Sequence, residues 1–159
     1  MIEPADYYHT GFVVADLDAA AARLTALGGY TWTTPIEATL PLVTRSGDYE
    51  VPFRFVYSMQ APHLELVQAV PGTIWSPMAD TAAHHLGYWV DDLDAAAAAL
   101  ERAGYRQEAR PAGDGLSMFA YYTDGDGFRI EIVDRAMFPD WPGFLASMAP
   151  TAEPSVTVP

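Results

Sequence analysis

The chain has 159 residues, half of them hydrophobic, enough for one well-buried domain or for two small modules that share a core. It carries 21 acidic residues against eight Arg and no Lys, a formal net charge of −13, which disfavours nucleic acid, anionic membrane and polyanionic substrates and removes lysine Schiff-base chemistry. Cysteine is absent, which excludes disulfides, thiolate nucleophiles and Cys-type zinc sites, so any metal has to be held by His and carboxylate. No apolar run reaches the roughly 18 residues that span a bilayer, and the acidic start, Met1 to Asp6, is no signal peptide; a cytoplasmic protein is expected.

Tyr7 to Val14 reads as a strand with His9, Gly11 and Val13 on one face and Phe12 and Val14 on the other. Asp16 is a suitable N-cap for a helix over Leu17 to Leu27, stopped by Gly28-Gly29, with Leu17, Ala20, Ala21, Leu24 and Leu27 or Gly28 as its apolar stripe. A short strand is expected at Tyr30 to Thr34. Ile36 to Glu50 is the least legible stretch, with Pro41 and Ser46-Gly47-Asp48 suggesting a strand and a turn. Val51 to Met59 alternates as a strand with an aromatic face, and Pro62 to Ala69 is its hairpin partner. Pro71 to Met78 joins two modules and, through Ile74, Trp75 and Met78, asks for burial. The order then recurs: strand His84 to Val90, N-cap Asp92, helix Leu93 to Ala103, and strands Tyr105 to Arg110, Leu116 to Thr123 and Phe128 to Val133, the last two joined by Asp124-Gly125-Asp126-Gly127. Met137 to Met148 is expected to be a short helical cap over an edge or mouth of the core, followed by a flexible tail from 149 to 159.

The recurrence is an internal repeat. His85 to Leu100 lies 76 positions after His9 to Leu24, and 11 of the 16 aligned residues are identical. Each half also ends in a strand with one carboxylate between aliphatic neighbours, Leu64-Glu65-Leu66 and Ile130-Glu131-Ile132. Alternation turns Glu65, Glu131, His9 and His85 away from the helix-facing side, toward a common concave face. A single His or Glu in a strand is ordinarily a surface or hydrogen-bonded group. Four in matched places are another matter, because unpaired buried carboxylates are strongly disfavoured. Two imidazoles and two carboxylates suit one divalent first-row ion (Zn, Ni, Co, Mn or Fe) and can leave a position open for substrate.

These residues, in this repeat, resemble the vicinal oxygen chelate superfamily, the glyoxalase I, methylmalonyl-CoA epimerase, bleomycin-resistance and extradiol dioxygenase relatives, over about Tyr7 to Asp134. The resemblance implies an α+β fold: two tandem βαβββ modules, about 7–70 and 84–134, forming an incomplete eight-stranded barrel around a metal. It also implies that His9, Glu65, His85 and Glu131 are the ligands and that a metal-bound Glu can detach and act as a base.

The expected activity is a metal-dependent isomerase, epimerase or lyase on a small oxygen-chelating substrate, by way of an enolate-type intermediate, with Glu131 as base and Glu65 as its counterpart. With few cationic side chains, glutathione adducts and CoA thioesters are discounted. A ligand-sequestering protein of the bleomycin-resistance type is the alternative, and an extradiol-type dioxygenase a third reading, opposed by the fourth ligand-like residue, Glu65. His63 shares a face with Glu65; His84 has the opposite parity to His85 and is expected at an outer face. The resemblance to the epimerases implies that a second acid/base can occur in the region of Asp48 and Glu50, though the local sequence does not match, and Arg54 and Arg129 read as structural charge partners. A homodimer is expected, with exposed aromatics near Trp141 as a candidate interface.

Overall fold

The computed structural model describes residues 2–77 and 83–150. The first half contains β1 (Tyr7–Val14), α1 (Leu17–Gly28), β2 (Ile36–Thr44), β3 (Gly47–Tyr57) and β4 (His63–Gln68). The second contains β5 (His85–Val90), α2 (Leu93–Arg102), β6 (Arg106–Pro111), β7 (Phe119–Thr123) and β8 (Arg129–Asp134), and α3 (Trp141–Ser147) follows. The α+β fold and the doubled βαβββ order agree with the sequence reading. The expected opening in the barrel does not: the eight strands close into a ring in the order β1-β4-β3-β2-β6-β7-β8-β5. The closing seam is narrow, because β2 and β6 pair only at Leu42 with Pro111, Val43 with Arg110 and Thr44 with Ala109.

Both repeat helices begin at the expected cap. Asp16 Oδ1 accepts from the Ala19 amide and Asp92 Oδ1 from the Ala95 amide, each at 2.9 Å, meeting helix-start donors that otherwise lack a partner. Leu17 and Ala20 of α1 bury against Val56 and Leu66, with Phe12, Val14, Ala21 and Leu24 alongside. Ala96, Ala97 and Leu100 of α2 pack on Ala120, Tyr122, Ile130 and Ile132. Leu27 does not join the α1 stripe. It is 86% exposed, standing at the margin of the stripe in the helix's last turn.

Two other expectations are corrected. Tyr30 to Thr34 makes no strand, only a single bridge from Trp32 to Ser58 and separate bonds such as Thr33 N–H to the Tyr57 carbonyl, 2.9 Å. Ile36 to Glu50, hard to read, holds the longest pairing of the barrel, nine residue pairs between β2 and β3. Pro41 obscured it, and Pro52 lies in the partner strand. Both are tolerated because β4 pairs with β3 only from Phe55 to Tyr57 and β6 with β2 only from Leu42, so neither proline is asked for an amide on a second side. In the second half, Met118 has a positive φ of 63°, which ends the extended run and makes β7 start at Phe119 rather than Leu116.

The cap is present. Phe138, Trp141, Phe144 and Leu145 pack with Tyr8, Tyr57, Trp89 and Val133, and the Thr34 amide donates to the Met148 carbonyl at 2.7 Å. Trp141 is therefore half-buried against its own barrel, with Tyr57 at 5.0 Å and Phe144 at 5.5 Å between ring centroids. Its aromatics are not the exposed patch proposed as a dimer interface. Most of the tail expected from 149 onward, and Met78 to Asp80 of the inter-module connection, lie outside the described residues.

Candidate metal centre

The seam between the repeats brings the two His together. β1 and β5 run antiparallel with His9 opposite Gly87 and Gly11 opposite His85, so each imidazole lies over the glycine of the other strand. A Cβ on Gly11 would fall inside the His85 ring, and one on Gly87 inside the His9 ring. The His-x-Gly triplet is thus a reciprocal packing device. Within each half the carboxylate arrives by parallel pairing, Glu65 beside Gly11 and Glu131 beside Gly87.

All four side chains are buried: His9 0%, His85 2%, Glu65 5% and Glu131 6% exposed. The two Nε2 atoms are 2.7 Å apart. Glu65 Oε2 lies 3.5 and 3.2 Å from the His9 and His85 Nε2 atoms, and Glu131 Oε2 lies 3.4 Å from both. Neither Oε2 has a well-formed hydrogen bond. Donors held about 2.0–2.2 Å from one ion are about 2.8–3.6 Å apart in tetrahedral or adjacent octahedral positions; the four imidazole–carboxylate distances fall in that range and the Nε2 pair just below it, so the donor types and spacing suit a divalent cation. Among the described residues, His9, Glu65 and His85 form a group whose ligand atoms all lie within 4.8 Å of one another and could hold it.

Charge balance without an ion points the same way. Burial opposes a charge on His85, but the close approach of the Glu131 and Glu65 carboxylates outweighs it and raises its pKa from 6.5 to about 9. Burial likewise opposes ionisation of Glu65, yet His9 and His85 together hold it well below the usual carboxylate range. The pocket is built for positive charge between two carboxylates.

His84 is not at an outer face. It is 3% exposed; its Nε2 is 2.9 Å from the Ile74 carbonyl and its Nδ1 is 3.0 Å from Nδ1 of His85. A carbonyl only accepts, so His84 Nε2 carries a hydrogen. Burial first, then His85 and Arg129, push the His84 pKa down to about 3, which leaves its Nδ1 as a bare acceptor. His85 Nδ1 must then be the donor, and its Nε2 can present a lone pair to a metal. Strand parity fails here because β5 begins only at His85. The clue available in the sequence was the repeat itself, which aligns His84 with Tyr8.

Tyr57 and Tyr121 were also missed. They stand across their hairpins from Glu65 and Glu131 respectively. Burial first, with the nearby carboxylates adding, raises both phenols well above 10.0, so each remains a protonated donor toward its Glu. His63 instead bonds through Nδ1 to the Ser58 carbonyl at 2.9 Å and stacks edge-on with Trp141. Asp48 and Glu50 are exposed on β3 and take no part in the centre. Arg54 pairs with Asp18 and Glu37 at the surface; Arg129 grips Glu108 at 2.7 and 3.1 Å and donates to the His84 carbonyl at 3.1 Å.

Beside the carboxylates opens a cavity of about 230 Å³, with Glu65 and Glu131 among its lining and Phe53, Phe55, Trp75 and Phe119 among its walls. A family model described as glyoxalase/bleomycin resistance protein/dioxygenase superfamily matches residues 8–122. The chain belongs to this superfamily. No functionally curated protein matches it in sequence. Among solved structures, a Streptomyces coelicolor methylmalonyl-CoA epimerase variant in complex with 2-nitronate-propionyl-CoA is 20% identical, with TM-score 0.51 over 81% of this chain and 96% of the other. Methylmalonyl-CoA epimerase from Mycobacterium tuberculosis is 21% identical, TM-score 0.53, over 84% and 92%. A hypothetical protein from Bacillus halodurans reaches TM-score 0.56 at 13% identity, over 80% and 92%. At such identities the structural matches establish the superfamily's fold alone. The family match stops before β8, so the placement of Glu131 rests on the structure.

Proposed function

We propose that this superfamily member is a divalent-metal-dependent isomerase, epimerase or lyase, with His9, Glu65, His85 and Glu131 holding one ion per chain. The observation that carries the reading is the convergence of two imidazole nitrogens and two buried carboxylate oxygens, neither with a well-formed hydrogen bond, beside an apolar cavity. Structural neighbours named as methylmalonyl-CoA epimerases support the isomerase class.

Bound among these donors, a Zn, Ni, Co, Mn or Fe ion would supply a Lewis acid for a substrate oxygen. Glu131 is the base. It removes the proton from the carbon next to the carbonyl, the C–H electron pair moves toward the carbonyl oxygen, and return of the proton on another face or to the neighbouring carbon completes an epimerisation or isomerisation. Glu65, held ionised by His9 and His85, is its counterpart and stays with the imidazoles. Tyr121, opposite Glu131, steadies the carboxylate that moves the proton.

Metal analysis and solvent deuterium exchange test this together. About one ion per chain is expected, with exchange into neutral α-hydroxyketones, 2-oxo compounds or small thioesters that is lost in Glu131→Gln and kept in His63→Ala. Full metal content in a variant with Ala at His9, Glu65, His85 and Glu131 would refute the centre. The predominance of aromatic rings in the cavity favours a second reading, a ligand-sequestering protein. That reading gains if planar aromatic compounds bind tightly without metal and no exchange occurs.

A further inference from the structure

The cavity beside the centre is lined by Tyr, Phe, Trp, Met and aliphatic side chains, and among the described residues its only charged groups are Glu65 and Glu131. None of the eight Arg reaches it. Arg54, Arg129 and Arg135 are committed to Asp or Glu partners, and Arg110 donates to the carbonyls of Pro111, Gly113 and Gly115. Arg23, Arg45, Arg102 and Arg106 are exposed on α1, in the β2–β3 turn, on α2 and at the start of β6. The residues outside the description, Met1, 78–82 and 151–159, bring no basic side chain.

Two consequences follow for a molecule entering here. Two carboxylates and two neutral imidazoles would already balance a divalent ion, so an anionic substrate would add an uncompensated charge to an apolar cavity, at the cost of part of its hydration. An aromatic group would gain, because rings stack on ring faces and edges and bury large apolar areas. Phe53 meets Trp75 edge to face at 4.8 Å and Phe119 at 6.5 Å, a wall shaped for another ring. The volume, about 230 Å³, lies below the roughly 300–1,000 Å³ of pockets for drug-sized ligands, so it suits one ring with its chelating oxygens.

From this we propose that the substrate of the centre is an uncharged aryl ketone or aldehyde bearing a neighbouring oxygen, the ring seated among Phe53, Phe55, Trp75 and Phe119 and the oxygens toward Glu65 and Glu131. The proposal rests on the isomerase reading for its chemistry but not for its binding.

The test uses the metal-loaded full chain and three probes: 2-hydroxyacetophenone, hydroxyacetone, which lacks the ring, and mandelate, which keeps the ring but is anionic. Calorimetry or tryptophan quenching measures binding, and proton NMR in deuterated water measures exchange. 2-Hydroxyacetophenone is expected to bind at least about tenfold more tightly than either comparator. Leu40→Arg, which places a cation in the cavity wall, should shift the preference toward mandelate. Aryl preference without exchange in any probe would keep the substrate class and remove the isomerase reading. Exchange into hydroxyacetone with no preference for the ring would keep the isomerase and overturn the class. Equal binding of mandelate by the unaltered protein, or no binding of the aryl ketone, also overturns it.

Discussion

The two halves of the barrel supply the same pair of ligand types by the same route and support them differently. His9 and His85 each lie over the other strand's glycine, and Glu65 and Glu131 each face a Tyr across a hairpin. Behind the imidazoles the equivalence ends. His85 is braced through Nδ1 by His84 and, beyond it, the Ile74 carbonyl, whereas His9 has a buried Nδ1 without a hydrogen-bond partner and is held between rings, Tyr8 at 4.3 Å and Tyr57 at 5.6 Å. The repeat therefore preserves the four side chains proposed to hold a cation. It varies what sets the orientation and tautomer of each ligand, and it makes His85 the more firmly directed of the two.

The largest expected contrast is between the carboxylates. Glu131→Gln should reduce proton exchange by about 10²- to 10⁴-fold, the usual loss with a general base, while leaving much of the metal bound. Glu65→Gln should instead lower metal content in titrations; the reverse pattern would exchange their roles. Next come the residues behind the imidazoles. His84→Phe should weaken metal binding by about 10- to 100-fold, as losses behind a ligand do, and erase the His85 Nδ1–H signal in nitrogen NMR. His84→Gln, able to accept and donate, should recover part of both, and Tyr8→Phe in the other half should change affinity little. Equal effects at positions 8 and 84 would break the comparison.

The glycines test the symmetry itself. Gly11→Ala should displace His85 and Gly87→Ala should displace His9, each destabilising by about 1–3 kcal/mol in denaturant unfolding, the range for overpacked sites. Metal affinity should fall in both.

A smaller effect should appear on titrating metal-stripped protein. Because the folded-state pKa of His85 is raised to about 9, its contribution to stability is complete below about 6.5 and is lost as pH rises through 9. Glu65, shifted down, contributes above the ordinary carboxylate range and loses that contribution in acid. Thermal unfolding without metal should therefore weaken from pH 7 to pH 10, and His85→Gln should flatten that limb. An unchanged limb would mean that His85 holds no proton between the carboxylates.

The sequence by itself determined the duplication, the two capped helices and the inward direction of His9, Glu65, His85 and Glu131. These are local properties. A helix start needs only an Asp whose oxygen reaches an amide three residues on, and a side chain's face in a strand follows from a period of two. It determined the expected donor set as well, because no cysteine competes and both carboxylates sit between aliphatic neighbours.

Tertiary structure decided what depends on partners distant along the chain. Pro41 hid the longest hairpin because the cost of a proline in a strand depends on which neighbouring strand needs its amide. The ring closes through β2 and β6, a pairing that nothing in either strand announces. Parity placed His84 outside, but the alternation it relies on begins one residue later, and the Ile74 carbonyl that holds His84 comes from the connection between modules. Gly11 and Gly87 read as small residues in strands until the antiparallel register put an imidazole over each. Register is a relation between two strands, so no single stretch of sequence could state it.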